Sequence, residues 1–375
     1  MAVAALQPRA SALVRRPAAK RPPFEIPSLD GLRAVSFLMV FLAHAGFDRV
    51  IPGGFGVTVF FFLSGYLITT LLRMEADKSG TVSLKAFYLR RALRILPPFY
   101  LVLASAAVLT VVRALPGRLL ALPVAAQALH YTNYWIAWHG WDGIASGTGV
   151  YWSLAVEEHF YLVFPAVYLV LRRAGLTGRQ QAFVLWGACG VVLAWRCILV
   201  FAMHAPLDRT YLCSDTRVDS ILFGCALAVY NNPMLDETAP PSARDAALWL
   251  RRLLPLALVA LLSTFVLRGN VFRETLRYSL QGLALVPLFV CAIRWPEAWI
   301  FRPLNLRPVR FIGTLTYSLY LLHFVVLSGL EAHTALPRVG RAVVGLVLAL
   351  ALSWTMWIAI ERPCARLRKR LSATA

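Results

Sequence analysis

Charge is scarce in this chain, and acid is scarcer still. Only 15% of its 375 residues are charged, with 18 Asp and Glu against 38 Lys and Arg, while 59% are hydrophobic. A soluble domain carries about 25% charged and about 45–50% apolar residues, so that class is excluded. The six cysteines (Cys189, Cys197, Cys213, Cys225, Cys291 and Cys364) form no C-x-x-C pair and no other metal-ligand spacing. Most lie in apolar runs, where a cysteine acts as a small hydrophobe, and no metal is expected. No Walker loop, Rossmann glycine fingerprint or G-x-S-x-G elbow occurs, which leaves a soluble nucleotide fold and a hydrolase-type serine without support. Internal repeats and low-complexity tracts are also missing.

Apolar runs of near-spanning length are abundant, and each crossing of a bilayer needs ~20 such residues. Ten candidate spans lie near 32–47, 55–72, 95–112, 150–171, 182–203, 217–231, 250–267, 277–293, 311–330 and 342–360. Residues 119–137 begin apolar but fill with His130, Tyr131, Asn133 and Tyr134. If this segment does not cross, 26 Lys and Arg fall on one side and 9 on the other; if it crosses, the split is 17 to 18. Cations collect on the cytoplasmic side. The sequence therefore predicts an all-α polytopic membrane helix bundle of about ten transmembrane helices, with both termini cytoplasmic. Residues 119–137 are expected to be re-entrant or interfacial on the outer side. Residues 1–27 read as a disordered basic cytoplasmic tail, 28–363 as the membrane domain and 364–375 as a second basic cytoplasmic tail. The net charge of +20 sits in short loops rather than on one face. Anionic membrane lipids are the partners this suits, and nucleic acid is not.

Against this apolar background the ionisable residues are informative. The 11-residue step from Arg33 to His44 returns to within ~20° of one helix face, about 16 Å apart along the axis. Asp30 lies within about 40° of the same face. Arg33 alone could simply snorkel to head groups, but intramembrane ionisable groups usually face a cavity or a partner. Arg90, Arg91 and Arg94 precede the third span, where positive-inside anchoring is the simpler explanation. Arg91 and Arg94 nevertheless share a face, which suits two phosphates of one ligand. Ser153, Glu157 and Tyr161 form a polar stripe at i, i+4 and i+8. Glu158 is about 100° away, so only one glutamate is expected to point well into a shared pocket, and Glu157 is preferred. Asp219, two residues after Arg217, is a site candidate that reads at least as readily as a salt bridge or helix start as a catalytic group. His323, near Tyr317 and Tyr320, reads equally as a packed histidine or a site residue. Ser64 and Gly65 suit close helix packing better than nucleophilic attack.

"LDGLRAVSFLMVFLAH" (29–44) resembles the opening of the acyltransferase-3 family, membrane enzymes that O-acylate glycans and related acceptors. "GGFGVTVFFFLSGYLI", "FYLRRALRILPPFY", "YWSLAVEEHFYLVFP", "TRVDSILFGCALA", "TYSLYLLHF" and "IERP" follow in the family's order. The family's Arg-ten residues-His motif falls on Arg33 and His44, and its Arg-x-x-Arg element on Arg91 and Arg94. The resemblance implies acetyl-CoA or another acyl-CoA as donor, entering from the cytoplasm. Its phosphates would be held by Arg91 and Arg94 with Arg33 and Arg90 close by, since arginine's fork binds phosphate oxygens in pairs. His44 would be the general base acting on an acceptor hydroxyl, or would itself carry the acyl group as an intermediate, and Glu157, at matching depth, the carboxylate that orients it. The expected acceptor is an extracytoplasmic or lipid-linked glycan, and the expected location the bacterial inner membrane. No second, esterase-like domain is expected after the last helix. A transporter or flippase using the same residues as a proton relay is the rival reading, and it would favour two related halves with broken helices, which the sequence does not show.

Overall fold

A computed structural model describes residues 26–236 and 241–373, so residues 1–25 of the expected basic tail lie outside the described residues. Among the described residues every regular element is helical. In chain order these are α1 (Leu29–Phe47), α2 (Gly53–Ser79), α3 (Leu84–Val111), α4 (Ala121–Ala128), α5 (Thr132–His139), α6 (Tyr151–Arg173) and α7 (Gly178–Phe201). They continue with α8 (Leu207–Leu212), α9 (Ser214–Arg217), α10 (Asp219–Val229), α11 (Ala243–Val266), α12 (Asn270–Glu274), α13 (Leu276–Arg294), α14 (Arg307–His333) and α15 (Arg338–Arg368). The helix containing the end of α15 runs on to Ala373, so the described part of the second basic tail, residues 364–373, is helical. We call the end of the bundle where α1 begins the proximal face, and the other end the distal face.

Among the described residues nine helices are long and apolar enough to cross a membrane: α1, α2, α3, α6, α7, α11, α13, α14 and α15. The sixth crossing, expected over 217–231, is a broken one. α10 has 11 residues, all of them buried, and at 1.5 Å per residue it covers only about 16 Å of a ~30 Å core. Its proximal end is marked by Val229, whose carbonyl abuts Gly178 at the start of α7. The rest of the traverse is made by α8 and α9, with interruptions at Cys213 and Val218. Irregular backbone at membrane depth is tolerated when protein covers it. With that crossing counted there are ten, and α1 starts at the face where α15 ends.

Residues 119–137 form α4 and part of α5, eight residues each and about 12 Å long, too short to cross. They lie against the distal ends of the long helices: Asn133 donates to the Ser214 hydroxyl at 3.0 Å, and the Tyr134 hydroxyl donates to Asp215 at 2.9 Å. The reading of this segment as non-crossing agrees with the fold.

Two devices hold the centre of the bundle. The first is backbone-to-backbone packing of α2 on α10. A Cβ added at Gly65 would sit 2.0 Å from the Ile221 carbonyl oxygen, and one at Gly224 2.0 Å from that of Phe62. In lipid no hydrophobic force draws helices together, so close approach over small residues supplies the packing instead. Gly65→Ala and Gly224→Ala are each expected to lower the yield of folded protein. Overpacking costs typically 1–3 kcal/mol even when side chains can yield, and here the obstacle is backbone. Size-exclusion profiles and thermal unfolding in detergent check this.

The second device is a buried ion pair. Arg196 Nη2 of α7 lies 2.7 Å from Asp219 Oδ2, and neither side chain is exposed. The same guanidinium donates to the carbonyls of Thr216 (2.6 Å) and Thr275 (3.1 Å) and to the Ser279 hydroxyl (2.7 Å). This corrects the pairing of Asp219 with Arg217, because residues two apart leave a helical turn on different sides. Arg217 instead stacks on Tyr278, 3.8 Å from the ring centroid, and donates to Thr58. Arg196 is the only charged residue in the run 182–203, and that isolation is the signal that could have revealed it.

Candidate active site

The distal end of α1 is a single π turn, Ala43–Phe47, closed by Gly46 at φ 96°. Such turns insert one residue and often mark functional positions. This one carries His44, whose Nδ1 lies 3.0 Å from Nε2 of His323 on α14. His323 is fully buried, and its own Nδ1 lies 2.8 Å from the Tyr320 carbonyl oxygen and 3.1 Å from that of Leu319. Carbonyl oxygens only accept, so this network assigns the His323 proton to Nδ1. His323 Nε2 is then a lone pair that accepts from His44 Nδ1–H. In the neutral pair the remaining lone pair belongs to His44 Nε2. The arrangement presents His44 as a proton acceptor held in one tautomer.

His44 lines a distal cavity of about 750 Å³ between α1, α2, α12 and α13. A second, central cavity of about 110 Å³ has among its walls Arg33, Arg91, Arg94, Ser64, Glu157 and Tyr161, together with Glu158, Ser153, Tyr317 and Tyr320. A third, of about 350 Å³, lies towards the proximal face and is lined by Glu75, Arg90, Arg91, Arg94 and Arg368. Arg91 and Arg94 are walls of both the proximal and central cavities. Val57 and Tyr320 are walls of both the central and distal ones. The three therefore stand in series through the bundle. At the second junction the Tyr320 hydroxyl is 2.5 Å from Ser153 Oγ and donates to the Val150 carbonyl at 3.1 Å, closing the way between α6 and α14.

Within the central cavity Ser64 donates to Glu157 Oε1 at 2.5 Å and lies 3.0 Å from the Tyr161 hydroxyl. Arg91 sits over the Tyr161 ring, 4.6 Å from its centroid. Arg33 donates to Asp30 at 2.7 Å, and Arg90 to Glu75 at 2.6 Å. Tyr317 donates to the Ile95 carbonyl at 2.7 Å. The cavity thus collects three guanidinium groups and two carboxylates. Arg33, Arg91 and both glutamates are half-buried and Arg94 is exposed, and the buried parts interact more strongly than charges in solution.

Most of the residues singled out in the sequence come together here, with three differences. His44 is partnered by His323, not by Glu157, which is tied to Ser64 in the next cavity. Glu158 lines the same cavity as Glu157, because that cavity wraps around α6 through more than the 100° separating them. Asp219 lines none of the three cavities and serves the ion pair with Arg196. Sequence reading missed Tyr320 as a partition and Arg368 as a wall of the proximal cavity. His44 and His323 are 279 positions apart, and no local pattern could have joined them.

A family model described as an acyltransferase domain matches residues 26–358. A peptidoglycan O-acetyltransferase, OatA, of Listeria monocytogenes is 29% identical over 353 residues, covering 90% of this chain and 55% of that protein. A putative peptidoglycan O-acetyltransferase, YrhL, of Bacillus subtilis is 30% identical, covering 90% of this chain and 54% of that protein. A putative O-acetyltransferase of Staphylococcus aureus is 28% identical, over 82% of this chain and 52% of that protein. The chain spans about half the length of these curated relatives. No solved structure matches. With the family match running through nearly the whole helical bundle, the chain belongs to the acyltransferase-3 family.

Proposed function

We propose that the chain is a membrane O-acyltransferase. It moves an acyl group, most simply acetyl, from acyl-CoA at the proximal face to a hydroxyl of a glycan, free or membrane-linked, at the distal face. The observation that carries this reading is the series of cavities running from Arg90, Arg91 and Arg94 to His44. The surplus of Lys and Arg in the proximal loops supports a cytoplasmic proximal face, and with it both termini in the cytoplasm of a bacterial inner membrane. Relatives named as peptidoglycan O-acetyltransferases support acetyl as the group and a saccharide as the acceptor.

The nucleotide phosphates of the donor rest on Arg91 and Arg94, with Arg90 and Arg33 adjoining. The pantetheine arm passes Glu157, Ser64 and Tyr161, which offer hydrogen bonds to its amides. Tyr320 swings from Ser153 to admit the thioester to the His44 level, about 16 Å along α1 from Arg33. His44 Nε2 then takes the acceptor's hydroxyl proton as the oxygen attacks the thioester carbonyl. The C–S bond breaks, the imidazolium returns its proton to the departing thiolate, and ester and CoA are the products. Donating Nδ1–H to His323 keeps the accepting nitrogen turned to the cavity throughout.

Labelled acetyl-CoA supplied to membranes containing the chain tests the reading. Label on a hydroxyl acceptor supports it; solute flux without transfer supports the transporter instead. Within this mechanism the double substitution Arg91→Lys, Arg94→Lys keeps the charge but loses the paired hydrogen bonds. CoA affinity measured by calorimetry is expected to fall about tenfold or more. His323→Leu removes the acceptor for His44 Nδ1–H and leaves the ring free to turn. A loss on the order of 10–100-fold in kcat is expected, with the KM for acyl-CoA unchanged.

A further inference from the structure

The distal cavity carries a charge that the transfer chemistry does not require. Arg49, Arg268, Arg273 and Arg277 line it, and its one acidic wall residue is Asp48. Among the described residues none of the four arginines is in an ion pair; Arg268 donates only to the backbone carbonyl of Arg49, at 3.2 Å. Two of them, Arg273 and Arg277, have a buried Nε with no hydrogen-bond partner. Gln281, 2% exposed, gives its amide NH2 to Thr264 at 3.1 Å and leaves its carbonyl oxygen, also buried, without a donor. Buried polar groups in folded proteins nearly always have partners, so a cluster lacking protein partners on one cavity wall offers groups that a ligand can satisfy. Head-group anchoring does not explain Arg273 and Arg277, which bury their Nε in the wall of the cavity that holds His44.

The rings of Trp152 and Tyr211, 4.9 Å apart between centroids, line the same cavity. Flat apolar faces together with hydrogen-bonding groups suit a pyranose ring, and guanidinium forks suit carboxylate or phosphate oxygens. Low-dielectric walls raise the local concentration of an anion further.

We infer that this cavity binds an anionic saccharide, a sugar bearing a carboxylate or phosphate group, as the acyl acceptor. This rests on the transferase reading for the word acceptor but not for the binding. Arg273 and Arg277 hold the anion, Gln281 accepts from a ring hydroxyl, and the sugar face lies towards Trp152 and Tyr211. The reacting hydroxyl is then turned towards His44.

Direct binding to the full chain in phosphatidylcholine nanodiscs, without donor, tests the site. The probes are p-nitrophenyl glucuronide, N-acetylglucosamine 1-phosphate and, as the neutral reference, p-nitrophenyl glucoside. At least one anionic probe is expected to bind about tenfold more tightly than the glucoside, as one charge-assisted contact provides, and to weaken with added salt. Which anionic probe gains shows whether carboxylate or phosphate is preferred. Arg277→Gln removes most of the gain; Arg268→Gln, at an exposed position, reduces it and covers the case in which the first variant misfolds. Equal binding of all three probes, unchanged affinity in correctly folded variants, or displacement of the glucuronide by CoA would overturn the assignment. Anion binding without acyl transfer to any acceptor would leave the site standing and remove the enzyme reading. Transfer to a neutral acceptor with no gain from the anion would do the reverse.

Discussion

His44→Ala is expected to abolish measurable acyl transfer while leaving the protein folded and its CoA affinity unchanged. An alcohol is a weak nucleophile at neutral pH, and a placed base contributes about 10²–10⁴-fold. Here the proposed base, His44, is held by one hydrogen bond to His323, whose own tautomer is fixed by two backbone carbonyls. His44 also sits in a π turn beside a large cavity, so truncating it empties space that water already reaches and opens no cavity in the packed core. The loss therefore belongs to kcat and not to stability. His44→Gln, which keeps a donor towards His323 but offers no basic lone pair, is expected to be as inactive as the alanine variant. Calorimetry with CoA and thermal unfolding of both variants separate chemistry from folding. A variant that keeps activity within threefold of the parent would remove His44 from the mechanism.

The second large effect is on folding. Asp219→Ala strands the Arg196 guanidinium, fully buried and without its counter-charge. Breaking a buried pair from one side costs about 3–5 kcal/mol, a large part of the 5–15 kcal/mol that stabilises a typical protein. The site has little room to relax, since the pair ties α7 to the start of α10 and, through Ser279, to α13. The expected result is aggregated or degraded protein in the membrane fraction. Replacing both partners by apolar residues, Arg196→Met with Asp219→Leu, leaves no uncompensated charge and is expected to recover much of the folded yield. Recovery by the double variant with intact CoA affinity would assign the pair to architecture. A folded but inactive Asp219→Ala would instead bring Asp219 into the site.

How much of this was legible in the sequence depends on the range over which each feature is encoded. Spanning helices are written locally, as apolar runs of sufficient length, and nine appear where the runs predict them. The tenth differs because residues 219–229 are all buried: full burial allows an apolar run to stop short of the membrane's thickness and hand over to α8 and α9. Helical spacing paired Arg91 with Arg94 and aligned Ser153, Glu157 and Tyr161 as two separate layers. One central cavity brings both sets together with Arg33, and Ser64, read as a packing residue, joins them as the donor to Glu157. Pairings between helices were beyond reach. Depth along the membrane suggested Glu157 for His44, but several residues share that depth, and only packing selects His323. The same limit hid the partition at Tyr320, formed by residues 167 positions apart, and the arginine-rich wall made jointly by the loop after α1 and by α12 and α13.

The central claim is that one passage brings a donor held by proximal arginines to His44. It is tested most directly by a structure of the full chain with a non-hydrolysable thioether analogue of acetyl-CoA. The expected complex has the pyrophosphate on Arg91 and Arg94, the pantetheine beside Glu157 and Ser64, and Tyr320 released from Ser153. The carbon standing for the thioester carbonyl should then lie beside the acceptor cavity, leaving an attacking oxygen within about 3.5 Å of both that carbon and His44 Nε2. An analogue bound with its acyl end outside the central cavity, with Tyr320 still on Ser153 and His44 beyond its reach, would contradict it.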